Sequence, residues 1–86
     1  MYLHLGQNVV VPINSVIGIF DLDNTTGSHL TRDFLKNAEK AGHIVNISYD
    51  LPKSFIICSD EGKEVIYLSQ LASTTLLKRS ETIRFD

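Results

Sequence analysis

Asp21 and Asp23 are the residues whose types and spacing most directly suggest chemistry. They close the stretch VIGIFDLDNTT, residues 16–26, where an apolar run passes into two carboxylates one residue apart. Carboxylate oxygens are hard ligands suited to magnesium, and a carboxylate is also a competent nucleophile. The same letters have a plainer reading: Asp21, Asp23, Asn24 and Thr25 favour strand ends, turns and helix caps, because their short side chains bond to nearby backbone groups. A second set is basic. On a helix, His29, Arg32, Lys36, Lys40 and His43 fall within about 80° of one another, opposite Leu30, Phe34 and Ala38. The i, i+4 spacing of Arg32, Lys36 and Lys40 costs a few tenths of a kcal/mol per pair through like-charge repulsion. Asp33 and Glu39 flank this stripe and blunt its field. It reads either as a solvated face or as a surface for an acidic protein or a phosphate backbone. The histidines add little, since metal binding needs converging ligands, and His29 and His43 lie about 21 Å apart along an ideal axis. His4 reads as a strand-face residue. No metal or cofactor is expected from this set.

The 16–26 stretch resembles the first motif of the haloacid dehalogenase phosphatases, an apolar strand ending in Asp-x-Asp. That resemblance implies attack on phosphorus by Asp21, acid and base work by Asp23, and magnesium held by both. Length speaks against it. Such an enzyme needs a doubly wound core, a downstream lysine and a further acidic pair, and such cores take about 100 residues or more, whereas this chain has 86. Ser59 and Lys63, after the apolar Phe55 to Cys58, are superficial stand-ins for two of the parts. The acidic pair has none, because the only carboxylates after Lys63 are Glu64, Glu81 and Asp86. No catalytic residue is expected, and the chain reads as a non-enzyme.

The elements that must position these residues follow from period and turn chemistry. Tyr2 to Leu5 and Asn8 to Val11 read as short strands joined at Gly6-Gln7, with Pro12 marking an end or an edge. Val16 to Phe20 is a third strand whose apolar run suggests burial on both faces, and Gly18 within it suggests a close backbone approach. Ser28 to Ala41 carries Leu30, Phe34, Leu35, Ala38 and Ala41 on one helical face, with Thr26 or Ser28 as N-cap and Gly42 as stop. Ile44 to Tyr49 alternates as a half-buried strand would. Phe55 to Cys58 and Val65 to Leu68 form a hairpin around Asp60-Glu61-Gly62-Lys63. A short C-terminal helix, LASTTLLKR, begins at Ser69 or Ser73 and ends with Lys78 and Arg79 favourably placed against its dipole. The tail SETIRFD is either frayed or an arm. The fold expected is α+β: small mixed and antiparallel strands packed with one main amphipathic helix and a short second one, in a single domain over 1–86.

Composition bounds the function. Hydrophobic residues at 43% and charged residues at 21% are ordinary for a globular domain. A chain this small buries only about 60 to 65% of its unfolded surface, so it stands to gain from self-association. The formal charge of -2 argues against a generic nucleic-acid coat, and any DNA site must be local. The single Cys58 lies in FIIC and reads as a small buried hydrophobe, the alternatives being a reactive thiol or an intermolecular bridge. MYLHLGQN lacks the basic start and apolar run of a signal peptide, and no segment is long enough to cross a bilayer, so a cytoplasmic protein is expected.

Taken in order, MYLHLG, VIGIF, a helix, an apolar strand after PKS, and LSQLASTTLLKR resemble the Rem-type extracellular matrix regulatory proteins of Firmicutes, on the RemB-like branch beside the DNA-binding RemA branch. The resemblance covers nearly the whole chain. It implies a fold related to the LytTR DNA-binding domain, a ring-like homo-oligomer, and double-stranded DNA wrapped around the ring by basic residues repeated once per subunit. A paralogous Rem subunit is a further partner it implies. Repetition turns a weak contact into avidity without a net basic chain, and DNA bent in this way is read through its backbone and deformability. The RemA branch has an arginine before the third strand and an arginine-rich turn after the strand that follows the helix. Here those places hold Asn14-Ser15 and Asp50-Leu51-Pro52-Lys53, so only Lys53 keeps positive charge. Lysine is a point charge and does not rebuild a bidentate phosphate clamp.

The expected function is therefore transcriptional regulation of matrix, biofilm or related genes. The expected DNA contacts are Lys53, with Lys78 and Arg79 added from charge alone. The alternative is a protein-interaction or assembly module of the same fold that does not bind DNA, with Arg32, Lys36 and Lys40 as its partner surface.

Overall fold

Two hairpins with different turns organise the chain. In the computed structural model, which describes residues 1–22 and 29–84, β1 (Tyr2–Gly6) pairs antiparallel with β2 (Val9–Pro12) as a two-stranded sheet. Gly6 pairs with Val9, so the turn lies one residue later than the sequence suggests, and both Gly6 (φ 123°) and Gln7 (φ 49°) carry positive φ. A 3-10 turn over Ile13–Ser15, closed by the Ser15 hydroxyl donating to the Pro12 carbonyl at 2.7 Å, leads into β3 (Val16–Asp21). The second hairpin joins β5 (Ser54–Asp60) to β6 (Lys63–Ser69). Its central residues Glu61 and Gly62 have φ of 51° and 80°, the double positive φ of a type I′ turn, whose twist matches that of the strands.

The larger sheet has four strands in the order β3, β5, β6, β4. β4 (Ile44–Asn46) runs parallel to β6, while the other pairings are antiparallel. The alternating segment at 44–49 is a strand only through Asn46. Ile47 still donates to the Leu68 carbonyl at 3.1 Å, and the chain then bends with the Asp50 amide donating to the Ser48 hydroxyl. Among the described residues two helices complete the α+β fold: α1 (His29–Lys40) and α2 (Ser73–Arg84), of 12 residues each.

Strand alternation divides the apolar residues between two cores. On one face of the four-stranded sheet Ile56 and Cys58 meet Leu3, Leu5 and Val11 of the first hairpin and Leu76 of α2. On the other face Phe55 and Ile66 pack with Leu22 and Ala38, with Leu35 of α1 against them. The sheet thus lies between α1 on one side and the first hairpin with α2 on the other. Ser69, fully buried, ties the layers together: its hydroxyl donates to the Leu5 carbonyl at 2.6 Å and accepts from the Leu71 amide at 3.0 Å. Leaving either backbone group buried and unpaired would cost about 1–3 kcal/mol.

Four local expectations are corrected by this packing. β3 is an edge strand rather than one buried on both faces, and its Ile17 is 63% exposed. The close approach at Gly18 is made by a side chain: a Cβ there would lie 2.6 Å from the Phe20 ring, which stacks on Phe55 with centroids 5.0 Å apart. α1 turns Leu35 and Ala38 to the sheet, leaving Leu30 79% exposed and Phe34 partly so. Finally, α2 is as long as α1 and is not short. Its first turn is closed by the Ala72 carbonyl, which accepts from the Thr75 and Leu76 amides, so Ala72 takes the N-cap place expected of Ser69 or Ser73. The helix continues through Arg84, which absorbs most of the expected tail and leaves Lys78 and Arg79 in its middle, away from the terminal dipole. The proposed N-caps of α1, Thr26 and Ser28, lie outside the described residues.

Candidate nucleic-acid and partner surfaces

Asp21 closes β3 opposite Ser54, and the amide of Leu22 donates to the Lys53 carbonyl at 2.9 Å. Asp23 lies outside the described residues. Ser59 and Lys63 sit at the far end of the sheet, where Ser59 pairs with Glu64 and Lys63 with Asp60. Ser54 and Ser59 are separated by roughly 17 Å of strand, so the stand-ins for a phosphatase site are not brought to Asp21. Among the described residues no group of three or more His, Cys, Asp or Glu is placed to hold a metal ion. Asp21→Asn keeps the shape and a hydrogen-bonding side chain, and is expected to change stability by less than about 1 kcal/mol in a denaturant titration. The purified chain is expected to show no magnesium-dependent turnover of a phosphate ester. Turnover abolished by Asp21→Asn would overturn the non-enzymatic reading.

The six candidate basic residues fall on three surfaces. Lys53 is exposed at the end of the sheet, its backbone fixed on both sides: its amide donates to the Ser69 carbonyl at 2.8 Å and its carbonyl accepts from Leu22. Lys78 and Arg79 are exposed on α2, and the Arg79 guanidinium donates to the His4 carbonyl at 3.3 Å, which fixes it over β1. Arg32, Lys36 and Lys40 are exposed on the outer side of α1, as the helical projection requires. His29 pairs with Asp33 at 3.2 Å on the open surface, which partly offsets the stripe's charge. His4 is exposed and His43 lies beyond the end of α1.

Cys58 is buried, as its apolar neighbours suggest. Burial is the larger effect on its thiol and pushes it above the ordinary value. Tyr67 is likewise raised, by burial first and then by the charges of Cys58 and Asp60. Both groups ionise more readily in the unfolded chain. The unfolded state therefore holds fewer protons once pH passes the ordinary values of 9.0 and 10.0. The resulting stability is full below those values and is lost as pH rises through the raised folded ones. A denaturant midpoint that falls with pH in this alkaline range, and falls less in Cys58→Ala, is the expected result. The native thiol is expected to react with a thiol reagent only after unfolding.

A surface not legible from sequence runs along the free edge of the sheet. Phe20, Leu30, Phe34, Phe55 and Ile57 line an almost wholly apolar groove of about 250 Å³ between β3 and α1. On the opposite face of the same strand, Ile17 and the partly exposed Leu77 of α2 border a second hollow. β3 carries no lysine or proline to block pairing, the usual protection of an edge, although a bulge between Val16 and Gly18 interrupts its register.

Comparison with known proteins places this arrangement. The family model described as extracellular matrix regulatory protein A-like matches residues 2–79. That span takes in both sheets, α1 and the first half of α2. The chain is also 38% identical, over 82 residues, to Extracellular matrix regulatory protein B of Bacillus subtilis strain 168, an alignment covering 94% of this chain and 91% of that protein.

Proposed function

Because the chain belongs to the RemA-like family of extracellular matrix regulatory proteins, we propose that it is a non-enzymatic transcriptional regulator of matrix, biofilm or related genes. In this reading it works in the cytoplasm as a ring-like homo-oligomer of LytTR-related subunits, alone or with a paralogous subunit, and wraps double-stranded DNA. The observation that carries the assembly is the apolar band of Phe20, Leu30 and Phe34 along an unpaired sheet edge. Isolated apolar residues on a surface need no partner, but a contiguous band beside a free strand edge marks a contact surface. A small chain gains most from covering it with another subunit.

DNA binding then rests on repetition. With a formal charge of -2, one subunit offers only local attraction through Lys53, Lys78 and Arg79. Several subunits engaging one duplex multiply that contact through effective concentration. Particle mass measured with and without duplex DNA, at two salt concentrations, tests the whole reading. The expected results are a closed multiple of the chain mass and a DNA complex that weakens with salt. A monomer across the micromolar range removes the ring and the avidity with it.

One observation favours the interaction-module alternative. At the positions where the RemA branch carries arginines, Ser15 directs its hydroxyl to the Pro12 carbonyl, and the 50–53 turn presents exposed Leu51 beside Lys53. If the oligomer forms but no duplex binds even at low salt, the assembly module is the better account, with Arg32, Lys36 and Lys40 as its partner surface.

A further inference from the structure

A cleft of about 690 Å³ opens between β1, the turn of the first hairpin and α2. Its size lies within the range of roughly 300–1,000 Å³ usual for small-molecule sites. Tyr2, His4, Gln7, Gln70, Arg79 and Thr82 supply its polar and aromatic groups. The proposed DNA contact at Arg79 uses one of these and leaves the others unexplained.

Three observations converge on a ligand. The side-chain oxygen of Gln70, Oε1, is buried and accepts no hydrogen bond among the described residues. Native structures pair nearly all such atoms, so an unpaired one calls for a donor from outside the chain, which reaches it by a turn of the Gln70 amide toward the cleft that the side chain lines. Gly6 stands against it: a Cβ there would come to 3.2 Å from Oε1, and the glycine keeps that crowding away. Arg79 is the second observation. Its Nη1 is fixed by the His4 carbonyl, and its remaining N–H groups stay available to an anion in the forked geometry that suits phosphate. The third is Tyr2, 61% exposed on the wall of the same cleft, which offers a flat aromatic face.

An anion for the guanidinium, a planar ring for the tyrosine and an N–H donor for the amide oxygen are joined in one class of small molecule. We infer that the cleft binds a mononucleotide whose base carries an exocyclic amine. The phosphate lies on Arg79, the base rests against Tyr2, and the amine donates to Gln70 Oε1. This site shares Arg79 with the duplex-binding reading but needs only one subunit and one nucleotide.

Calorimetric titration of the full chain with AMP, GMP and CMP tests it, with inorganic phosphate and purine ribonucleoside monophosphate, which lacks the amine, as comparators. At least one of the three nucleotides is expected to saturate with a dissociation constant below about 1 mM. Inorganic phosphate and the amine-free nucleotide are expected to bind about tenfold or more weakly than it. Gln70→Leu removes the unpaired acceptor, so the variant is expected to melt no lower than the parent while its affinity falls about tenfold. Arg79→Met is expected to weaken binding at least as much, and Arg79→Lys to recover part of it. The inference fails if none of the three nucleotides saturates below that concentration. It fails equally if folded Gln70→Leu binds as the parent does, or if phosphate alone binds as tightly as the nucleotide.

Discussion

Leu30→Asp and Phe34→Asp, made singly, are each expected to convert the proposed assembly to monomers at micromolar concentration, seen as a fall in sedimentation coefficient. Leu30 is 79% exposed and touches little of its own subunit, so within one chain the change falls among surface substitutions that move stability by about 0.5 kcal/mol or less. Across a subunit contact the same change buries a carboxylate without a partner, which typically costs several kcal/mol at each interface. A ring incurs that cost at every junction, so the assembly dissociates while the fold stands. Phe34 is closer to the sheet and its variant also gives up some packing, which makes Leu30→Asp the cleaner test. Melting temperature is expected to rise with concentration in the parent and to become independent of it in Leu30→Asp. A Leu30→Asp protein that keeps the parent's mass would remove the β3 and α1 band as the subunit contact.

That band also marks the limit of what the sequence makes legible. The β5 and β6 hairpin is legible because Asp60-Glu61-Gly62-Lys63 places glycine where positive φ is needed, between two short apolar runs. The helix over 29–40 was legible from its period, and the α+β class from the order of the elements. A helical projection gives only relative angles. It puts Leu30 and Phe34 with Ala38, and cannot tell that the sheet meets the helix on its Leu35 and Ala38 side. The run VIGIF posed a similar ambiguity, since a strand covered by its own domain and one left for another subunit have the same apolar letters. Its unbroken apolar character suggests the first, whereas the topology puts β3 at an edge. The sequence ends α2 at Arg79, whereas Ser80, the first residue of the expected tail, is buried and its hydroxyl donates to the Leu77 carbonyl at 2.7 Å inside the helix. The Gln70 cleft had no local signal at all. It exists because Gly6 and Gln70, far apart in the chain, meet where the two sheets join.

Lys53→Glu is expected to weaken duplex binding across all sequences and to flatten its salt dependence, by about 0.9 in the slope of log affinity against log salt for each phosphate no longer neutralised. The reason is geometric as well as electrostatic. Both backbone groups of Lys53 are bonded into the sheet end, so its exposed charge projects from a fixed point, which each subunit of the proposed ring would repeat. Lysine reads no base through a phosphate, and the weakening is therefore uniform across sequences. Lys36→Glu alters charge equally but sits on the outer face of α1, away from the sheet end, and is expected to matter less. Fluorescence anisotropy of a labelled duplex across a salt series distinguishes the two variants. The same series on Leu30→Asp separates avidity from the single-subunit interaction, because monomers keep Lys53 without the repetition. If Lys36→Glu abolishes binding and Lys53→Glu is silent, the DNA surface is the helix stripe of Arg32, Lys36 and Lys40.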